Sequence, residues 1–246
     1  MINLVIDIGN TFSKFALFNK NTLIYYGNIN NEDSDNEIAD ILNNYKEVRN
    51  AIISSVRENP PFVNYVKEKL TTIELSHSTP LPIKINYKSP ETLGRDRIAG
   101  AVAASILYGN PALSIDAGTC ITYDFVNEKG EYEGGAISPG IEMRLKAMNY
   151  FTEKIPYIKF KNVKDSVPLI GQDTQTCLLA GAINGSIYEI EQTITYYKEQ
   201  YPSINVVLCG GDATFLAKAI KNSIFADPFL VLKGLNIILQ FNVPDK

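Results

Sequence analysis

Residues 4–11, Leu4-Val5-Ile6-Asp7-Ile8-Gly9-Asn10-Thr11, lie without a gap over residues 113–120, Leu113-Ser114-Ile115-Asp116-Ala117-Gly118-Thr119-Cys120. Each copy is an apolar run closed by an aspartate, with a glycine two residues further on. Short apolar runs bounded by glycine and polar turn residues read as buried strands. Residues 3–8 therefore form one strand, and residues 11–18 continue in period 2, with Phe12, Lys14 and Ala16 on one face and Ser13, Phe15 and Leu17 on the other. Asn19-Lys20-Asn21 turns the chain into a third strand at 23–29. The second copy repeats the pattern with strands at 112–117, 121–126 and 132–138, the last two joined by Asn127-Glu128-Lys129-Gly130. Two three-strand meanders headed by one motif point to duplication.

Working outward, Ser34 caps a helix over 34–45, in which Ile38, Ile41, Leu42 and Tyr45 follow helical spacing. A strand at 51–56, a helix opened by Pro60-Pro61 and ending near 70, and a strand at 72–75 complete the first half. In the second half, helices start near 140 and 173, a strand covers 204–208, Gly210-Gly211-Asp212 turns into a helix, and a final helix covers 228–239. Strands alternating with helices predict the α/β class. The expected architecture is two similar domains, 1–110 and 111–246, each a mixed sheet flanked by helices, with the site in a cleft between them.

Composition narrows the function. The chain is 45 % hydrophobic and 20 % charged, ordinary for a globular protein, with net charge −4. No basic block interrupts it, which argues against a nucleic-acid partner, since backbone phosphates demand clustered Lys and Arg. Cys120, Cys177 and Cys209 are odd in number and widely spaced, and His77 is the lone histidine; neither a disulfide framework nor a zinc cluster is expected. The start of the chain has no basic segment before its apolar run, and no stretch approaches the ~20 apolar residues of a membrane span, so a cytoplasmic protein without a membrane partner is expected.

The motifs point to phosphate chemistry. Glycine lets a backbone approach an anion closely, Asn10 and Thr11 add donors, and Asp7 at a strand end suits a hydrated Mg2+. Asp116-Ala117-Gly118-Thr119 is the second such turn, and two of them gripping a polyphosphate would supply the positioning that phosphoryl transfer requires. Neither a Walker motif nor a dinucleotide fingerprint occurs. Leu208-Cys209-Gly210-Gly211-Asp212-Ala213 joins a strand to a helix and is a candidate seat for adenosine, or simply a tight turn capped by Asp212. In Gly94-Arg95-Asp96-Arg97 an acid stands between two arginines: Asp96 is a candidate proton acceptor and the guanidinium groups candidates for a substrate carboxylate, unless Asp96 merely complements a helix N-terminus. Gly134-Gly135-Ala136-Ile137-Ser138-Pro139-Gly140 allows close backbone approach to a ligand or a neighbouring chain.

Taken in order, these motifs resemble the type III pantothenate kinases of the actin-like (ribonuclease H-like) superfold that also holds acetate and sugar kinases. The resemblance spans nearly the whole chain and rests on Asp7-x-Gly-Asn-Thr, Tyr87 before Gly94-x-Asp96-Arg97, Asp116-x-Gly-Thr119, Gly134-Gly-x-Ile-Ser-Pro-Gly140, Gly171-x-x-Thr174 and Gly210-Gly-Asp212. It implies ATP-dependent phosphorylation of pantothenate, the first committed step toward coenzyme A, by a homodimer using a divalent metal and a monovalent cation, K+ or NH4+. It implies that Asp7, Ile8, Gly9, Asn10, Thr11, Phe12, Ser13 and Lys14 form the ATP phosphate loop, with Thr119 a further ATP contact. Asp96 is implied as general base, and Tyr87, Gly94, Arg95, Asp96, Arg97 and Thr174 as the pantothenate pocket, with Thr174 a candidate to reach it from the second subunit. Asp116 is implied to hold the monovalent cation and Asp7 the Mg2+, directly or through water. Two residues depart from the family pattern: Arg95 stands where a small or apolar residue is expected, and Asp173 where Asn is frequent. The rival readings within the fold are a phosphatase and a nucleotide-binding regulatory protein without turnover.

Overall fold

A computed structural model describes residues 2–9, 12–30, 34–58, 60–163 and 167–243. The apolar run that ends at Asp7 forms β1 (Ile2–Ile8), and β2 (Phe12–Asn19) and β3 (Thr22–Asn30) complete the meander. Helix α1 (Ser34–Asn44), β4 (Val48–Ser55), α2 (Phe62–Lys69) and β5 (Thr71–Glu74) follow, giving the strand order β3-β2-β1-β4-β5. β1 pairs antiparallel with β2 and parallel with β4, so the sheet is mixed.

Side chains alternate across a strand, and β1 uses both faces. Leu4, Ile6 and Ile8 enter a core with Phe15, Leu17, Ile38 and Ile41 of α1, and Phe62, Val63 and Val66 of α2. At ~1.5–3 kcal/mol for each fully buried large aliphatic or aromatic side chain, this face anchors the sheet. Asn3, Val5 and Asp7 point the other way. There Asn3 donates to Asn236 Oδ1 at 3.0 Å, a buried pair on the terminal helix α8 (Leu230–Asn242). The helix α3 (Arg95–Tyr108) packs closely on α8: a Cβ on Gly234 would collide with the Ala99 carbonyl, which is why both helices carry small residues at the contact.

The second meander, β7 (Ala112–Ala117), β8 (Cys120–Val126) and β9 (Glu131–Pro139), is continued by α4 (Ile141–Tyr150), α5 (Thr174–Leu179), α6 (Gly185–Gln200), β10 (Asn205–Cys209), α7 (Ala213–Ala217) and β11 (Phe225–Ala226). Its order, β9-β8-β7-β10-β11, repeats that of the first sheet, with the two-residue β6 (Lys84–Ile85) added beside the start of β9. Leu113, Ile115 and Ala117 enter a core with Ile141 and Leu145 of α4, Ile190 and Ile194 of α6, and Leu216 of α7; Ser114 and Asp116 face away from it. The helix expected from 173 onward is interrupted by a π segment, Ala180–Asn184.

The chain divides into two compact units, Met1–Leu107 with Gly130–Tyr132 and Phe229–Lys246, and Tyr108–Lys129 with Glu133–Pro228. Residues 229–243, which follow the second half in sequence, thus belong with the first sheet. Among the described residues no helix is long and apolar enough to cross a membrane.

Candidate active site

In the first unit, Asp7 is the last polar residue of β1 and has Lys14 of β2 directly across the ladder. On its other side β4 runs parallel with Ser54 in register, and Ser54 donates to Asp7 Oδ1 at 3.0 Å. Burial, then the nearby Asp96 carboxylate, raise the Asp7 pKa to about 6, while the Ser54 hydrogen bond and Lys14 pull it down. The structure therefore gathers Asp7, Lys14, Ser54 and Asp96 at one end of the sheet. Asp7, with the Ser54 hydroxyl on it, offers a hard oxygen donor whose desolvated charge a divalent cation would relieve. These residues fit Mg2+ arriving with a nucleotide. Among the described residues no group of three or more His, Cys, Asp or Glu is gathered, and Mg2+ shared with phosphates needs only one or two carboxylates.

Of the remaining phosphate-loop residues, Ile8 and Ser13 are buried partners across the β1–β2 ladder, Gly9 follows β1 and is half-buried, and Lys14 is exposed. Asn10 and Thr11 lie outside the described residues, as does the side chain of Phe12, which opens β2.

Asp96 occupies the second position of α3, half-buried, and its Oδ1 accepts the Arg97 N–H at 2.9 Å. A Cβ on Gly94 would stand 2.6 Å from that same oxygen, so glycine there leaves Asp96 accessible from the loop side. Arg97 is 8 % exposed. Arg95 folds back instead, donating to the Leu93 carbonyl at 3.2 Å and the Glu91 carbonyl at 3.5 Å. The departure from the family pattern at this position is thus occupied in bracing the loop before α3. Tyr87 is half-buried with its ring 6.0 Å from that of Tyr132.

In the second unit three turns knit together. Gly118 N–H donates to Cys120 O, Gly140 N–H to Thr119 O at 3.1 Å, and Asp212 N–H to Ala117 O at 2.9 Å. Gly210 sits at φ +96°, and a Cβ on it would strike Asp116 and Ala117; a Cβ on Gly140 would strike the carbonyls of Gly118 and Thr119. Asp116 is half-buried and Thr119 exposed. Asp212 makes no side-chain capping hydrogen bond, and burial, followed by Glu142, raises its pKa to about 6. The simple capping role weighed for Asp212 is therefore not what its carboxylate does.

Thr174 is exposed at the start of α5. The preceding Asp173 is the helix N-cap: it accepts from Thr176 N at 2.8 Å within a capping box, which holds its carboxyl below the usual range. Capping is a role that Asn fills equally well, which accounts for Asp at this second departure.

Sequence reading did not single out Ser54 or Glu189. Ser54 carried a faint signal, a hydroxyl ending the apolar run Ala51-Ile52-Ile53. Glu189 carried none, since the groups it binds lie 45–66 residues away.

Residues 3–196 match the family model for type III pantothenate kinase. The chain belongs to the type III pantothenate kinase family. A type III pantothenate kinase from Phocaeicola vulgatus is 44 % identical over 98 % of this chain and 99 % of its own length. Among solved structures, a conserved Campylobacter jejuni protein of the Baf transcriptional activator family superposes with a TM-score of 0.59 at 23 % identity, covering 97 % of this chain and 98 % of that one. A ROK hexokinase from Thermus thermophilus superposes with a TM-score of 0.54 at 13 % identity, covering 99 % and 100 %. At such identities the likeness carries the fold alone: the duplicated, actin-like architecture of two mixed sheets flanked by helices.

Proposed function

We propose that this pantothenate kinase transfers the γ-phosphoryl group of ATP to the terminal hydroxyl of pantothenate, with Asp96 as general base. Kinase chemistry of this family implies ATP with a divalent metal. The observation that supports the residue assignment is the charge coupling of Asp7 with Asp96: a carboxylate at the end of β1 suits the metal–nucleotide side, and a half-buried one at a helix N-terminus suits the acceptor. Asp96 takes the hydroxyl proton, the alkoxide oxygen bonds to the γ-phosphorus, and the bond to the β–γ bridging oxygen breaks to release ADP. Asp7 would hold the Mg2+ that arrives with ATP, and the ion would supply positive charge against the phosphates. Residues 8–14 and Thr119 contact the nucleotide. Gly94, Arg97, Tyr87 and Thr174 receive pantothenate, whose carboxylate suits a guanidinium, and Arg95 contributes through the loop it braces. Asp116, half-buried at the end of β7, would hold K+ or NH4+ through its carboxylate oxygens.

The test is ADP release with and without pantothenate, in K+ and in Na+ buffers. Expected is release that requires pantothenate and is faster in K+. Release indifferent to pantothenate would indicate hydrolysis, and equal rates in both buffers would remove the cation role of Asp116.

A homodimer is part of the same proposal. The second unit exposes Tyr150 (82 %), Phe151 (80 %), Ile170 (77 %) and Leu169 (68 %), large apolar side chains that a second copy would cover. Leu169 and Ile170 lie just before Thr174 in sequence, so pairing there would bring Thr174 close to the seam. Sedimentation should give a dimer for the native chain and a monomer for Phe151→Glu/Ile170→Glu; a native monomer would refute pairing. The reducing cytoplasm is the expected compartment, in keeping with three free cysteines.

A further inference from the structure

We propose that Glu189 is a positioning residue for the nucleotide side of the reaction, holding the turn at 138–140 against the loop that carries Thr119. The inference rests on the reading of Thr119 as an ATP contact. Glu189 lies on α6, and its Oε1 accepts the Tyr123 hydroxyl of β8 at 2.9 Å and the Ser138 hydroxyl of β9. Its Oε2 is paired with Arg144 Nη2 of α4, and Arg144 Nε donates to the Pro139 carbonyl at 2.8 Å, which closes a ring around the turn. The next residue, Gly140, donates its N–H to the Thr119 carbonyl. One carboxylate thus joins β8, β9, α4 and α6 beside the turn whose Gly140 holds the Thr119 carbonyl.

Charge-assisted hydrogen bonds are stronger and more directional than neutral ones, and a network of them fixes geometry that apolar packing leaves loose. Packing of α6 does not depend on Glu189, because Ile190 and Ile194 are fully buried on the same helix. Burial and the adjacent Glu189 push the Tyr123 hydroxyl far above its ordinary pKa, so it stays a donor. Against the opposing effect of burial, hydrogen bonds from Ser138, Arg144 and Tyr123 hold Glu189 below its own.

The experiment compares full-length Glu189→Ala, Glu189→Gln and Ser138→Ala with the native chain. ATP affinity is measured by calorimetry without pantothenate, followed by steady-state kinetics and thermal melting. Glu189→Ala should weaken ATP binding and raise the ATP KM by about 10-fold or more, the scale of a small misplacement, with the pantothenate KM within about threefold. Glu189→Gln keeps an oxygen acceptor for Tyr123 and Ser138 but sets an amide donor against the Arg144 guanidinium, so its ATP KM should fall between those of the native chain and Glu189→Ala. Ser138→Ala leaves the Arg144 pair intact, and should shift ATP affinity in the same direction by less; it decides the matter if Glu189→Ala does not fold. Native ATP affinity in the folded variants would overturn the proposal, as would equal losses for both substrates that track a lowered Tm. A native chain that binds ATP but phosphorylates no pantothenate would sink the proposed function while leaving the ATP comparison readable.

Discussion

Replacing Asp96 with asparagine lowers kcat by about 10²–10⁴ and leaves the ATP KM within about threefold, if Asp96 removes the hydroxyl proton. The substitution is close to isosteric, and the asparagine oxygen can still accept the Arg97 N–H that Asp96 Oδ1 accepts at 2.9 Å. The start of α3 therefore keeps its local geometry. What is lost is a negative charge near a helix N-terminus, worth ~0.3–1 kcal/mol, and the capacity to accept a proton. A structural role alone would appear as a lower Tm with kcat largely intact. Steady-state kinetics beside a melting curve separate the two, and turnover unchanged from native would take Asp96 out of the mechanism.

Asp7→Asn is expected to make the protein more stable and nearly inactive. Asp7 is desolvated and stands near Asp96, so its ionised form is costly and its pKa rises to about 6. The sign follows by linkage. A raised folded-state pKa means that protonated Asp7 favours the fold below its ordinary pKa near 3.8, and that this contribution is lost as pH rises through about 6. Above that range the native chain holds a buried charge without a bound cation, and asparagine removes the cost while still accepting the Ser54 hydroxyl. At ~1.4 kcal/mol per pKa unit the gain is on the order of 2–3 kcal/mol at most near pH 8, shrinking toward zero near pH 4. Activity should fall by about 10²-fold or more, because metal and phosphates lose their anchor. Melting curves across pH, without nucleotide, check the first part; a Tm below native at pH 8 would show that the Asp7 charge is compensated in the apo protein.

The strands, the helices and the duplication were legible because each depends on local pattern. The expected strand at 3–8 is β1 within one residue, and the matched motif heads two sheets that share a five-strand order, to which the second adds β6. Catalytic grouping was less legible. Asp7 and Asp96 are 89 positions apart in the sequence numbering, and their approach depends on α8 covering the Asn3 side of β1 and on α3 packing against α8, a tertiary choice that periodicity does not encode. The last helix is legible as a helix from its own sequence, yet only the Asn3–Asn236 pair and the Gly234 contact reveal that it covers the first sheet. The π segment is likewise invisible locally, because its residues Ala180-Gly181-Ala182-Ile183-Asn184 fit an α-helical pattern as well. Two-residue strands such as β6 carry too few side chains for any alternation to register.

The most direct measurement follows the γ-phosphate. With γ-labelled ATP, Mg2+, K+ and pantothenate, label should move onto pantothenate in step with ADP formed. Label appearing as inorganic phosphate, or no turnover with pantothenate present, would contradict the assignment of this chain as a pantothenate kinase.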